Sequence, residues 1–114
     1  MSFFDSEVVR SEIAEISELQ ERIYESVFKF PLMNSSDKLD HVKMLEKLID
    51  KQKILYTRLS LSDDPEAVKM KERILDSAKM MGLSSDVDMN VVFNNMNQML
   101  QVMKNSLDSD GSNQ

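Results

Sequence analysis

Residues 9–30, VRSEIAEISELQERIYESVFKF, decide the fold. Val9, Ile13, Ile16, Ile23, Val27 and Phe30 follow one another at alternating intervals of four and three, with Gln20 in the remaining slot. A strand repeats every two residues, whereas this rhythm is the seam of a helix that lies along another helix in coiled-coil fashion. Ser2 with Asp5 matches a capping box, and Glu7 favours the positive end of the helix dipole. Pro31 pushes the residue before it out of the helical region, so the first predicted helix covers residues 5–29.

Downstream, residues 31–36 supply a loop and a cap, Ser35 or Ser36. The rhythm resumes with Val42, Leu45, Ile49, Tyr56 and Leu59, and Gln52 takes one seam position. Leu48 and Leu55 widen that face, so the second helix, ending near Ser60, should touch more than one neighbour. Ser62-Asp63-Asp64-Pro65-Glu66 then reads as a helix start, with Asp64 as the cap and Pro65 in the first turn. The third helix carries Ala67, Met70, Ile74, Ala78 and Met81 and stops at Gly82, whose missing Cβ suits a left-handed cap. The fourth, capped by Asp86 or Asp88, presents Met89, Val92, Phe93, Met96, Met99, Leu100, Met103 and Leu107. The expected fold is all-α: a long antiparallel helical hairpin plus two shorter helices with coiled-coil-like packing, over residues 1–107, followed by a flexible polar tail, 108–114.

Composition agrees. The chain has 114 residues, a net charge of -6, 41% hydrophobic and 30% charged side chains, which suit one domain with one core. Two Gly and two Pro leave few tight turns for a β-fold, and the absence of Cys excludes disulfides and thiolate chemistry. No signal-peptide run or membrane-length apolar stretch is present, so a cytoplasmic protein is expected. Residues 1–30 hold seven acids and three bases, while residues 31–60 hold four acids and six bases, an opposition that helps the hairpin pair.

If the hairpin turns near residue 34, facing seam positions have numbers that add to roughly 69, which puts Gln20 and Gln52 in adjacent layers. The two amides then either specify the register of the hairpin or face water where the seam splays. The fourth helix has no charged residue over 89–103; its polar side is Asn90, Asn94, Asn95, Asn97, Gln98 and Gln101. Seven of the ten methionines lie between Met70 and Met103. Thioether side chains adapt to partners, and an amide-rich face is easier to desolvate than a charged one. A Met stripe at helical spacing can also be plain core. The expected interface comprises Phe93, Met96, Met99, Leu100, Met103, Leu48 and Leu55, with a homodimer as the simplest assembly. The short third and fourth helices cannot cover a long hairpin, which leaves apolar surface for a partner.

A rival reading is a Mg²⁺-dependent all-α nucleotide pyrophosphohydrolase, whose metal would sit on Glu12, Glu15, Glu46 and Asp50. Against it, the heptad frame sends Glu15, Glu18 and Glu25 toward solvent, where Glu18 to Arg22 and Glu25 to Lys29 read as ordinary surface pairs. His41, beside Asp40, lacks further ligands and reads as a surface histidine. The basic residues of the second helix are scattered around it and the net charge is acidic, which disfavours nucleic acid. No catalytic residue, metal or cofactor is expected.

Phe3-Phe4-Asp5-Ser6-Glu7, the stretch 44–61, the Leu61-Ser62-Asp63-Asp64-Pro65 motif and the pattern of Met96, Met99 and Met103 around Phe93 resemble a small uncharacterised helical family of cyanobacteria and their tailed phages. The likeness covers most of residues 3–104, and the wording of the central motif looks more like the phage-encoded members. It implies no activity; it implies a viral origin and a photosynthetic host. The expectation is a non-enzymatic module that binds itself and a host protein, with an accessory of RNA polymerase as a further alternative.

Overall fold

In the structure, a computed structural model, residues 2–80, 82, 83 and 88–112 are described, with side chains through Leu107. Four helices, α1 (Glu7–Val27), α2 (Ser35–Leu61), α3 (Pro65–Met80) and α4 (Met89–Ser112), are joined by short connections, and no strand occurs among the described residues. The fold is all-α.

The helix ends follow from local hydrogen bonding and differ from expectation in four places. Ser2 and Asp5 do form a capping box, but it closes a separate 3-10 turn, Phe3–Asp5. Ser6, extended at φ -67° and ψ 131°, breaks the chain there and caps α1 by accepting from the Val9 N–H. At the other end α1 stops at Val27, and Pro31 lies inside a second 3-10 turn, Phe30–Leu32. The cap of α2 is Asn34, not Ser35 or Ser36: its side-chain oxygen accepts from the Asp37 N–H at 2.8 Å. Asp64 caps α3 as expected, accepting from the Glu66 N–H at 2.9 Å. Gly82, at φ 98°, closes α3: its N–H donates to Lys79 O and that of Leu83 to Ala78 O, the paired bonds of a left-handed C-cap. Asp88 caps α4, accepting from the Asn90 N–H; Asp86 lies outside the described residues. The backbone of α4 stays helical through Ser112, past the expected end at Leu107, because each residue added to an existing helix gains a hydrogen bond without needing burial.

α2 is the spine. α1 runs antiparallel along one flank, tied by Glu12 to Arg58, Glu15 to Lys51 and Ser26 to His41, within a few positions of the expected register. α4 runs antiparallel along the opposite flank, tied by Lys53 to Asn94, Asp50 to Asn97 and Glu46 to Lys104. At 24 residues α4 is nearly as long as the 27-residue α2, so the expected shortfall in its length is corrected. The molecule is a slab, 54 × 32 × 21 Å.

α3 crosses this layer over the C-terminal half of α2. Ala67 starts it among Val9, Ile16, Leu55 and Leu59, with Phe3, Phe4 and Met70 around them. Ala78 ends it among Tyr56, Met89 and Phe93, in the cluster that continues through Ile49, Leu100 and Val42. Ala67 and Ala78 are both buried, and their small size lets the backbone of α3 approach the layer closely. Leu48 and Leu55 join the cluster that α1, α2 and α3 share, as the widened face of the second helix foretold.

Two seam assignments change. Leu19 is buried and its neighbour Gln20 is exposed, while Val27 is 43% exposed. A strict seven-residue repeat drifts about 20° per heptad around a straight α-helix, and over α1 that drift turns Val27 partly out of the seam. His41, expected at the surface, is 4% exposed: its Nδ1 lies 2.9 Å from Ser26 Oγ and its ring packs 5.2 Å from that of Phe30. Burial lowers its pKa.

Candidate interaction face

The two broad faces of the slab differ chemically because each outer helix turns a different flank to each side. The ties Glu12–Arg58, Glu15–Lys51, Lys53–Asn94 and Asp50–Asn97 all lie on the face opposite α3. On that face the Lys51 ammonium, through its hydrogen bond first and its charge second, holds Glu15 below the usual carboxylate range. The amide side of α4 is therefore spent partly on α2, with Asn94 accepting from Lys53 Nζ at 3.1 Å and Asn97 donating to Asp50 Oδ1 at 3.4 Å.

On the face that α3 crosses, helical spacing places Ile13, Gln20, Tyr24 and Val27 of α1, Leu45, Leu48 and Gln52 of α2, and Val92, Met96, Met99 and Met103 of α4. α3 covers its lower part, where Ile13 and Val92 join the core clusters. Above α3 the face is open. The α2–α4 ties set Met96, Met99 and Met103 near the levels of Gln52, Leu48 and Leu45. Tyr24, Val27 and Met99 are exposed there, Met99 by 68%, and Met96 and Met103 are exposed in part.

The expected interface therefore divides. Phe93, Leu100 and Leu55 are buried in the protomer's own core and Leu48 packs against it, so these four hold the helices together. Met96, Met99 and Met103 stay at the surface. Tyr24 and Val27 join them, which the seam reading missed; the signal was the Leu19-Gln20 pair, where an apolar residue beside a polar one competes for the same slot. Gln20 is exposed and Gln52 half-buried, both on this face, and no hydrogen bond joins them.

The four carboxylates of the metal reading are not brought together. Glu12 and Glu15 pair with Arg58 and Lys51 on the α1 flank of α2, and Glu46 and Asp50 meet Lys104 and Asn97 on the α4 flank. Lys104 Nζ lies 3.1 Å from a Glu46 oxygen that water cannot reach, a charge contact without hydrogen-bond alignment. Among the described residues no group of three or more His, Asp or Glu side chains is placed to hold a metal ion.

A different junction anchors the N-terminus. Asp64 accepts from the Phe3 N–H at 2.5 Å as well as from Glu66, and these two bonds lower its pKa. A shallow depression at this junction is lined by Phe3, Val9, Arg58 and Pro65, and others run along α3 beside Phe4 and over Gln20 and Tyr24. Among the described residues no helix is long and apolar enough to cross a membrane.

Comparison with curated proteins and with solved structures finds no match. A family model does match, over residues 1–107; it takes in α1 to α3, most of α4 and every residue of the open face. The chain belongs to this family, the domain of unknown function DUF1825.

Proposed function

We propose that the protein is a non-enzymatic helical module that works by binding other protein surfaces through the open face above α3. The observation that carries this reading is the uncharged apolar edge of Met96, Met99 and Met103 on α4, with Tyr24 and Val27 across α2 on α1, which the protomer's own core covers only in part. Exposed apolar surface on a small domain marks interaction sites, and methionine adapts to the shape it meets. The finer reading is a phage-encoded protein of the host cytoplasm that engages a host protein. Its support is the resemblance of the Phe3–Glu7, 44–61 and Leu61–Pro65 stretches to a family of cyanobacteria and their phages, with the wording of the central motif nearer the phage-encoded members.

Affinity capture from a cyanobacterial lysate tests the reading. A protein retained in defined stoichiometry by the wild type and lost with Met99→Glu is the expected result. Capture of nothing but the bait overturns the host half, and equal capture by Met99→Glu moves the binding surface elsewhere.

A further inference from the structure

We infer that the occupant of the open face is a second copy of the chain, related by a two-fold axis lying in the plane of contact so that the two long axes run antiparallel. This rests on the protein-binding reading and names the second copy as the partner on this face; a host protein then engages the assembled pair, and Met99→Glu loses it by breaking the pair.

Three observations point to a second copy. The first is shape. Each slab is thick where α3 crosses the C-terminal half of α2 and thin toward the α1–α2 turn. Two copies laid face to face with their thin halves overlapping fill one another's step, and the turn of each reaches the α3 bar of the other. A two-fold interface uses one patch twice, so a stepped patch of this kind completes itself.

The second is charge. The chain carries -6, so most ways of pairing it bring like charges together. The middle of the open face avoids this: α4 has no charged residue over 89–103, the α1 and α2 residues turned to that face at the same levels are Gln20, Tyr24, Val27, Leu45, Leu48 and Gln52, and the acids Glu21 and Glu25 stand at its outer α1 edge. Its polar groups are two amides and a phenol. Each carries both a donor and an acceptor, which lets a group hydrogen-bond its own symmetry mate; a carboxylate or an ammonium cannot. The amides that do not bond each other within the protomer are thus supplied with partners across the axis.

The third is area. With large side chains exposing roughly 150–250 Å² when free, the uncovered parts of this face amount to roughly 600 Å² per protomer and about 1,200 Å² for a pair, the lower end of stable interfaces.

Sedimentation equilibrium of the full chain at micromolar concentration tests the inference. The expected mass is twice 13.2 kDa. Met99→Glu, at a position 68% exposed, and Gln20→Lys, which sets a like charge against its mate, are each expected to weaken the dimer about tenfold or more with helicity by circular dichroism unchanged. Leu61→Glu, 83% exposed on the opposite face, should leave it intact. A wild type that sediments as a monomer overturns the inference, as does a dimer indifferent to both face variants or broken by Leu61→Glu. A monomer that still loses a captured host protein on Met99→Glu refutes the second copy while the protein-binding reading survives. A dimer that captures nothing else refutes only the host partner.

Discussion

Leu59 and Leu61 stand two residues apart near the end of α2, yet one is 1% exposed and the other 83%. Leu59 sits where α1, α2 and α3 meet, among Val9, Ile16, Leu55 and Ala67. Leu59→Ala removes three carbons, about 2.4 kcal/mol at ~0.8 kcal/mol each, and leaves a cavity that three crossing helices cannot close, for about 3–4 kcal/mol in all. A chain of 114 residues has a total stability of about 6–17 kcal/mol, so this one side chain accounts for a sizeable share of it. In urea titrations followed by circular dichroism at low protein concentration, with a slope of ~1–3 kcal/mol per molar, the midpoint should fall by about 1–4 M. Leu61→Ala, the same chemical change on the same helix, should move stability by no more than about 0.5 kcal/mol. Equal shifts for the two variants, or a loss below ~1 kcal/mol at Leu59, would refute the crossing of α3 over this end of the layer.

Three further outcomes follow from the geometry. Burial holds the His41 pKa below its ordinary 6.5, so the unfolded chain binds the proton more readily; stability contributed by His41 is present above pH 6.5 and is lost as pH falls toward the folded value, and denaturant titrations from pH 8 to 5 should show this slope flattened in His41→Gln. Gly82→Ala meets no neighbouring atom, so its cost is that of a left-handed backbone alone, about 1 kcal/mol, read as a lower Tm with an unchanged fold. Asp64→Ala should free the N-terminal turn, seen as faster exchange of the Phe3 amide hydrogen; because its two hydrogen bonds lower the Asp64 pKa below 3.8, the wild type should lose the same protection only as pH falls through that lowered value.

Much of this architecture is local and was legible in the residues. The four-and-three rhythm, Asp64-Pro65 and Gly82 mark helices and their limits because capping and amphipathicity depend on near neighbours in the chain. Where expectation slipped, the competing signal was also local but close in strength: Ser6 against Ser2, Asn34 against Ser35, Leu19 against Gln20. His41 was misjudged for another reason. Its polarity argued for the surface, and only the turn of the hairpin, which brings Ser26 and Phe30 over it, provides the hydrogen bond and ring contact that allow burial.

The candidate face divides along the same line. By itself the sequence determined that α4 carries an uncharged methionine stripe and that α1 and α2 pair antiparallel, because side-chain spacing along a helix fixes which residues share a flank. It did not determine which flank would be covered. Phe93 and Met96 are three residues apart, and one is core while the other is surface. That outcome rests on α4 lying along the far side of α2 and on α3 crossing only one end of the layer. Amphipathicity commits a helix to burying a face, but contacts made by residues distant in the chain decide how much of that face finds a cover.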